Sequence, residues 1–285
     1  MGVVRRPAVA GAFYAGSEGA LRRQIEWCFK HELGPGEVPT PSEGPLERLV
    51  ALVCPHAGYM YSGPVAAHAY ARLAREGRPD VVVILGPNHT GFGSSVATSV
   101  SGAWRTPLGD VEIDVRLAEA IMDRARIIAA DDTAHMYEHS IEVQLPFLQY
   151  LYGSDFKFVP ICMMLQDVKT STEVGEAIAG AVGELGLNAL IIASTDLTHY
   201  EPHEVALRKD AEVIRAVEAL DVSALYRAVD EIPVSMCGYG PTAAAMVAAR
   251  ELGATRGELL KYATSGDITG DVRAVVGYAS MAITR

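Results

Sequence analysis

Four residues able to do chemistry stand just beyond runs of apolar residues. Val50-Ala-Leu-Val-Cys54 leads to Pro55-His56, and Val81-Val-Val-Ile-Leu85 leads to Gly86-Pro-Asn88-His89. Ala189-Leu-Ile-Ile-Ala193 opens onto the polar stretch Ser194-Thr-Asp196-Leu-Thr-His199-Tyr200. A fifth residue, Cys237, sits in the turn Met236-Cys-Gly-Tyr-Gly-Pro241. Imidazoles and a thiolate form a donor set suited to Fe(II), zinc or copper. A neighbouring carboxylate and imidazole, Asp196 and His199, suit proton transfer. Taken singly, each His reads as a loop residue bonding backbone, and Cys237 as a small buried hydrophobe. Their shared placement points to a site. His31 and His68 fall inside helical patterns and His203 near a helix start, so they are read as structural.

Such a site needs parallel strands that end together. Short apolar runs bounded by turn formers read as buried strands, and ligands bind beyond the carboxyl ends of strands in open α/β sheets. Helical patterns cover 17–33, 65–75, 115–124, 171–185, 202–220 and 242–252. Residues 95–113 read as a β excursion, and Pro160 marks Phe158–Met164 as an edge or bulged strand. Residues 34–45, rich in Gly, Pro and Ser, read as a loop. Glu258–Thr264 and Val272–Ile283 read as a closing hairpin. The fold expected is α/β over 1–285 as one domain: a mainly parallel central sheet, helices on both faces and a C-terminal hairpin.

The net charge of −11 argues against nucleic acid or an anionic membrane as partner. No long apolar window suggests a span, and none of the four cysteines forms a CxxC pair, so a cytoplasmic chain with free thiols is expected. His135-Met-Tyr-Glu138-His139 matches the H-x-x-E-H zinc-peptidase signature. The segment also reads as the approach to a helix capped by Ser140 and ended or kinked by Pro146. The peptidase reading is not adopted.

The stretches Pro55–Gly63, Gly86–His89, Glu138-His139-Ser-Ile-Glu142, Ser194–Tyr200 and Cys237–Gly240, with Ala10–Tyr14 ahead of them, resemble the Memo family (mediator of cell motility), whose microbial members are known as AmmeMemoRadiSam system protein B. The resemblance implies a fold like that of class III extradiol dioxygenases. It implies a metal pocket of His56, His89 and Cys237, with Asp196, His199 and His139 as catalytic candidates and Tyr59, Asn88, Glu142 and Tyr200 lining it. Fe(II) is the metal expected first, with copper or zinc as alternatives. Cys237 stands where the dioxygenases use a carboxylate, so the fold can carry over without their activity. The function expected is metal-dependent redox or oxygenase-like chemistry on a small molecule or peptide. The alternative is a peptide-, phosphopeptide- or anion-binding module using the same pocket. Partners in a radical-SAM system are implied by resemblance. Cys237 is expected to be free, with its thiol pKa lowered by the helix that follows it.

Overall fold

A computed structural model of the chain describes residues 3–285. β1 (Val4–Arg5) and α1 (Glu18–Lys30) lead to the first apolar run, β2 (Leu49–Cys54). α2 (Tyr59–Glu76) returns the chain to the second, β3 (Val81–Pro87). Then come β4 (Val96–Thr98), β5 (Ala103–Thr106), β6 (Gly109–Ile113), α3 (Val115–Arg124) and β7 (Ile128–Ala130). A polar segment with short 3-10 turns at Asp132–His135 and Glu142–Gln144 precedes α4 (Leu145–Tyr152) and β8 (Lys157–Met163). α5 (Val168–Leu185), the third apolar run β9 (Ala189–Ser194), β10 (His199–Glu201), α6 (His203–Glu218), α7 (Val222–Asp230) and α8 (Tyr239–Glu251) follow. β11 (Arg256–Thr264), α9 (Ser265–Thr269) and β12 (Val275–Thr284) close the chain as a hairpin.

The fold is mixed α/β with one large central sheet. Its spatial order is β1-β5-β6-β8-β3-β9-β2-β12-β10. The stretch from β6 to β2 is parallel throughout, and β12 runs antiparallel to β2, β10 and β11. The three apolar runs are neighbours, with β9 between β3 and β2. Ser194 pairs with Cys54, and Ala193 with Leu85, so their carboxyl ends are level. Up to Ser194 at the end of β9, these strands are free of polar side chains because both faces are covered. Val81, Val83 and Leu85 face a core built with α3 and α5–α8, while Val82 and Ile84 face α1, α2 and α4.

Three local expectations are corrected. α2 starts at Tyr59, not at 65, so Gly63-Pro64 lies within the helix and not in a turn before it. Gly63 admits α1: a Cβ there would stand 2.4 Å from Cys28 Sγ. Pro146 opens α4 and does not end or kink it, because the first turn of a helix has no use for the missing N–H. Pro160 lies inside the sheet. β6 pairs with β8 only at 157–158 and β4 only at 161–163, so no neighbour asks for the Pro160 N–H on that side. Residues 34–45 hold no helix or strand.

Candidate metal site

The level strand ends bring the histidines together. One ligand atom from each of His56, His89 and His139 lies within 4.8 Å of the others, a group that could hold a metal ion. The His89 and His139 rings stack at 4.7 Å, and His56 stands edge-on to both at 5.2 and 5.4 Å. His56 is the floor, at 2% exposure, while the His89 and His139 side chains are 34% and 20% exposed and form the open side.

Two of the rings are held from behind. The Ser194 hydroxyl donates to the Ser140 carbonyl at 2.6 Å and accepts from Gln144 Nε2 at 2.7 Å. Its one proton is thus used, so at 3.0 Å it must accept from His56 Nδ1–H. That leaves His56 Nε2 without a proton, its lone pair facing the Cys237 thiol at 3.2 Å. Glu138 plays the same part for His89, with Oε1 2.9 Å from Nδ1, and it also accepts the amides of His89, His139 and Ser140. A carboxylate or hydroxyl behind a ligating imidazole is the usual way a metal site fixes its tautomer. The donor set fits a metal ion.

Burial sets the electrostatics of His56 and His139. Burial, followed by the nearness of His139 and His89, holds His56 well below the ordinary imidazole range. Burial brings His139 down to about 4 despite Glu138. Burial would raise the Glu138 carboxyl, but hydrogen bonding and charge from His89 and His139 bring it down to about 2.

Cys237 is free, and its Sγ lies 3.2 Å from His56 Nε2, beside the trio and outside it. The expected lowering of its thiol is overturned: burial first, then the Asp196 carboxylate, push it up to about 12. Asp196 turns toward backbone, accepting the His56 amide at 2.8 Å, and burial raises it to about 6. His199 donates Nδ1–H to the Leu197 and Ser235 carbonyls at 2.7 and 2.9 Å, leaving Nε2 free. Asn88 knits its own loop through Thr90, Gly91 and Phe92. Tyr200 is the bulged residue of β10 at φ 60°, and it stands 78% exposed.

Two residues expected in the pocket are placed elsewhere. Tyr59 is buried against Phe147 and Tyr14, with its hydroxyl on the Val143 carbonyl, because α2 turns that face into the core. Glu142 is wholly buried and binds Arg5, the amides of Ala8 and Val9, and the Tyr14 hydroxyl. The H-x-x-E-H pair does not share a face. His135 ends a 3-10 turn, buried against Trp104 at 5.3 Å, and only His139 joins the cluster. The sequence reading missed the roles of Ser194, Gln144 and Glu138. Glu138 stood in the quoted Glu138-His139 motif, and nothing local to Gln144 announces its partner 50 positions away.

A family model described as Memo-like protein matches residues 5–282. A MEMO1 family protein of Methanopyrus kandleri is 57% identical over 281 residues, covering 99% of both chains. One from Methanothermobacter thermautotrophicus is 53% identical over 279 residues, covering 98% of this chain and 100% of its own. Among solved structures, an uncharacterized protein from Escherichia coli K12 shares the fold at 15% identity and a TM-score of 0.53, over 82% of this chain and 99% of that one. Level strand ends, a cluster of histidines beyond them and likeness along nearly the whole chain agree: this chain belongs to the Memo family.

Proposed function

We propose that this protein binds a divalent or redox metal ion, Fe(II) first, with copper or zinc as alternatives, and that with iron or copper it carries out oxygenase-like or redox chemistry on a small molecule or peptide. The observation that carries this is the convergence of His56, His89 and His139 with the Nδ1 atoms of His56 and His89 already engaged. Imidazole nitrogen suits all three metals, and Cys237 beside His56 offers a softer donor. A metal bound there would supply Lewis acidity and, for iron or copper, electrons. The chain's own residues would do the rest. Ser194 and Glu138 keep the rings aimed, and Asp196 fixes the turn that carries His56. His199, anchored through Nδ1, has Nε2 available to move a proton.

The metal-free anion-binding reading finds less support. Burial holds His56 and His139 neutral at pH 7, so neither offers positive charge to an anion. The test is metal analysis of untagged protein purified anaerobically under reducing conditions. A near-stoichiometric metal, lost in His56→Ala and His89→Ala, is expected. Wild-type protein that takes up no Fe(II), Cu or Zn would end the reading.

A further inference from the structure

The loop that carries Glu138 and His139 is gripped by residues from the far end of the sequence. Arg5 donates from Nε to the His135 carbonyl at 2.8 Å, from Nη2 to the Glu138 carbonyl at 2.6 Å and from Nη1 to Glu142 Oε2 at 2.6 Å. Its side chain is 11% exposed, and its guanidinium lies 4.1 Å over the Trp104 ring. Glu142 in turn holds the amides of Ala8 and Val9 and the hydroxyl of Tyr14. Between these anchors Phe13 packs on the His139 ring at 4.7 Å, and its carbonyl receives the Tyr59 amide. Residues 5–14 thus form a strap across the loop. One end of the strap is loosely packed: a cavity of about 480 Å³ lies between residues 3–8 and Trp104, Asp132 and His135–Tyr137. At that end the chain is tied by the Arg5 guanidinium and by the pairing of β1 with β5.

We propose that Arg5 and the strap are positioning elements for the metal ligands, so that strap order and metal binding are linked. This rests on the metal-binding reading above. The Glu138 carboxylate orients His89 while its carbonyl is held by Arg5, and Phe13 bears on His139 directly. A shift of the strap therefore moves two of three rings. By linkage, a metal that gains from an ordered strap must also order it.

The probe is Co(II), titrated into the full-length chain and followed by visible absorption and by hydrogen exchange over residues 5–14. Wild type is expected to bind, and its strap amides are expected to exchange more slowly with Co(II) present. Arg5→Ala is expected to weaken binding by ~10-fold or more, on the scale of changes behind a ligating histidine, and to alter the absorption bands. Arg5→Lys keeps the charge without the fork and should recover only part of this. If wild type binds Co(II) and Arg5→Ala matches its affinity and spectrum, the strap proposal falls and the metal reading stands. If wild type takes up neither Co(II) nor Fe(II), Cu or Zn, both fall; if it takes up one of those metals but not Co(II), the same comparison of affinity and strap exchange is made with that metal, and an Arg5→Ala affinity equal to wild type refutes the strap proposal. Should Arg5→Ala not fold, exchange on wild type decides alone, and strap amides indifferent to Co(II) refute the linkage.

Discussion

A single hydroxyl decides which nitrogen of His56 is free. Ser194→Ala removes the acceptor for Nδ1–H and leaves Gln144 Nε2 short of a partner, so metal affinity should drop by ~10- to 100-fold with the fold kept. Calorimetric titration with Zn(II) measures this, and an unchanged Kd would mean the tautomer is set by something else. Cys237 gives a second test at this scale. Its thiol is pushed up to about 12, and burial raises Cys28, Cys54 and Cys162 as well. Because the thiolate is the nucleophile, none of the four should alkylate readily at neutral pH in the folded, metal-free protein, and all four should in denaturant. Rapid native labelling of Cys237 would show its sulfur to be a thiolate without any metal. The expectation that the following helix lowers this thiol failed for a local reason. Cys237 lies ahead of the N-cap Gly238, in a buried turn beside a carboxylate.

At the scale of elements, close approach accounts for much that local pattern does not. Where β9 meets the turn before α8, a Cβ on Gly238 would stand 2.6 Å from the Ser194 carbonyl oxygen and 2.7 Å from Thr195 Cβ. Neither neighbour can yield easily, so Gly238→Ala should cost ~1–3 kcal/mol and displace Cys237. Gly183, on the exposed side of α5 with nothing near its missing Cβ, is the contrast: Gly183→Ala should stabilise by roughly 0.5–1 kcal/mol. Urea unfolding of the two variants checks both signs, and destabilisation by each would mean that something other than crowding acts at 238. The apolar strands were legible because sheet and helices bury them on both faces, which leaves unbroken apolar runs. The true start of α2 was not, since Gly63-Pro64 looks like a turn until α1 is seen against it. His56 and His89 were legible from their place after those runs. The ties that aim them join residues 49 to 138 positions apart, and such pairs leave no periodic trace.

At the scale of the whole molecule, the buried histidines set how the protein responds to acid. His135 is held down to about 3 and His139 to about 4, both by burial, and His56 well below its ordinary value. Between about pH 6.5 and 4 the unfolded chain binds these protons and the folded one does not. Metal-free stability should therefore fall by a few kcal/mol on acidification through that window and be flat above it. Asp196, raised to about 6, works the other way, since the stability from its protonated form is lost as pH rises from about 4 to 6. One carboxyl is outweighed by three imidazoles, and Asp196→Asn should steepen the acid loss. Urea midpoints against pH in the presence of chelator test this, and a level profile would show the histidines charged in the fold. The order of strands in the sheet has a further consequence, one of timing. β2, apolar at every position, pairs on one side with β12, whose Ala282 meets Leu52 only after about 230 intervening residues have been made. Until then β2 has an unpaired edge, open to strands of other chains. Such distant pairing also slows folding. Refolding yield should consequently fall as protein concentration rises, and the species lost should be aggregates formed before the final hairpin docks.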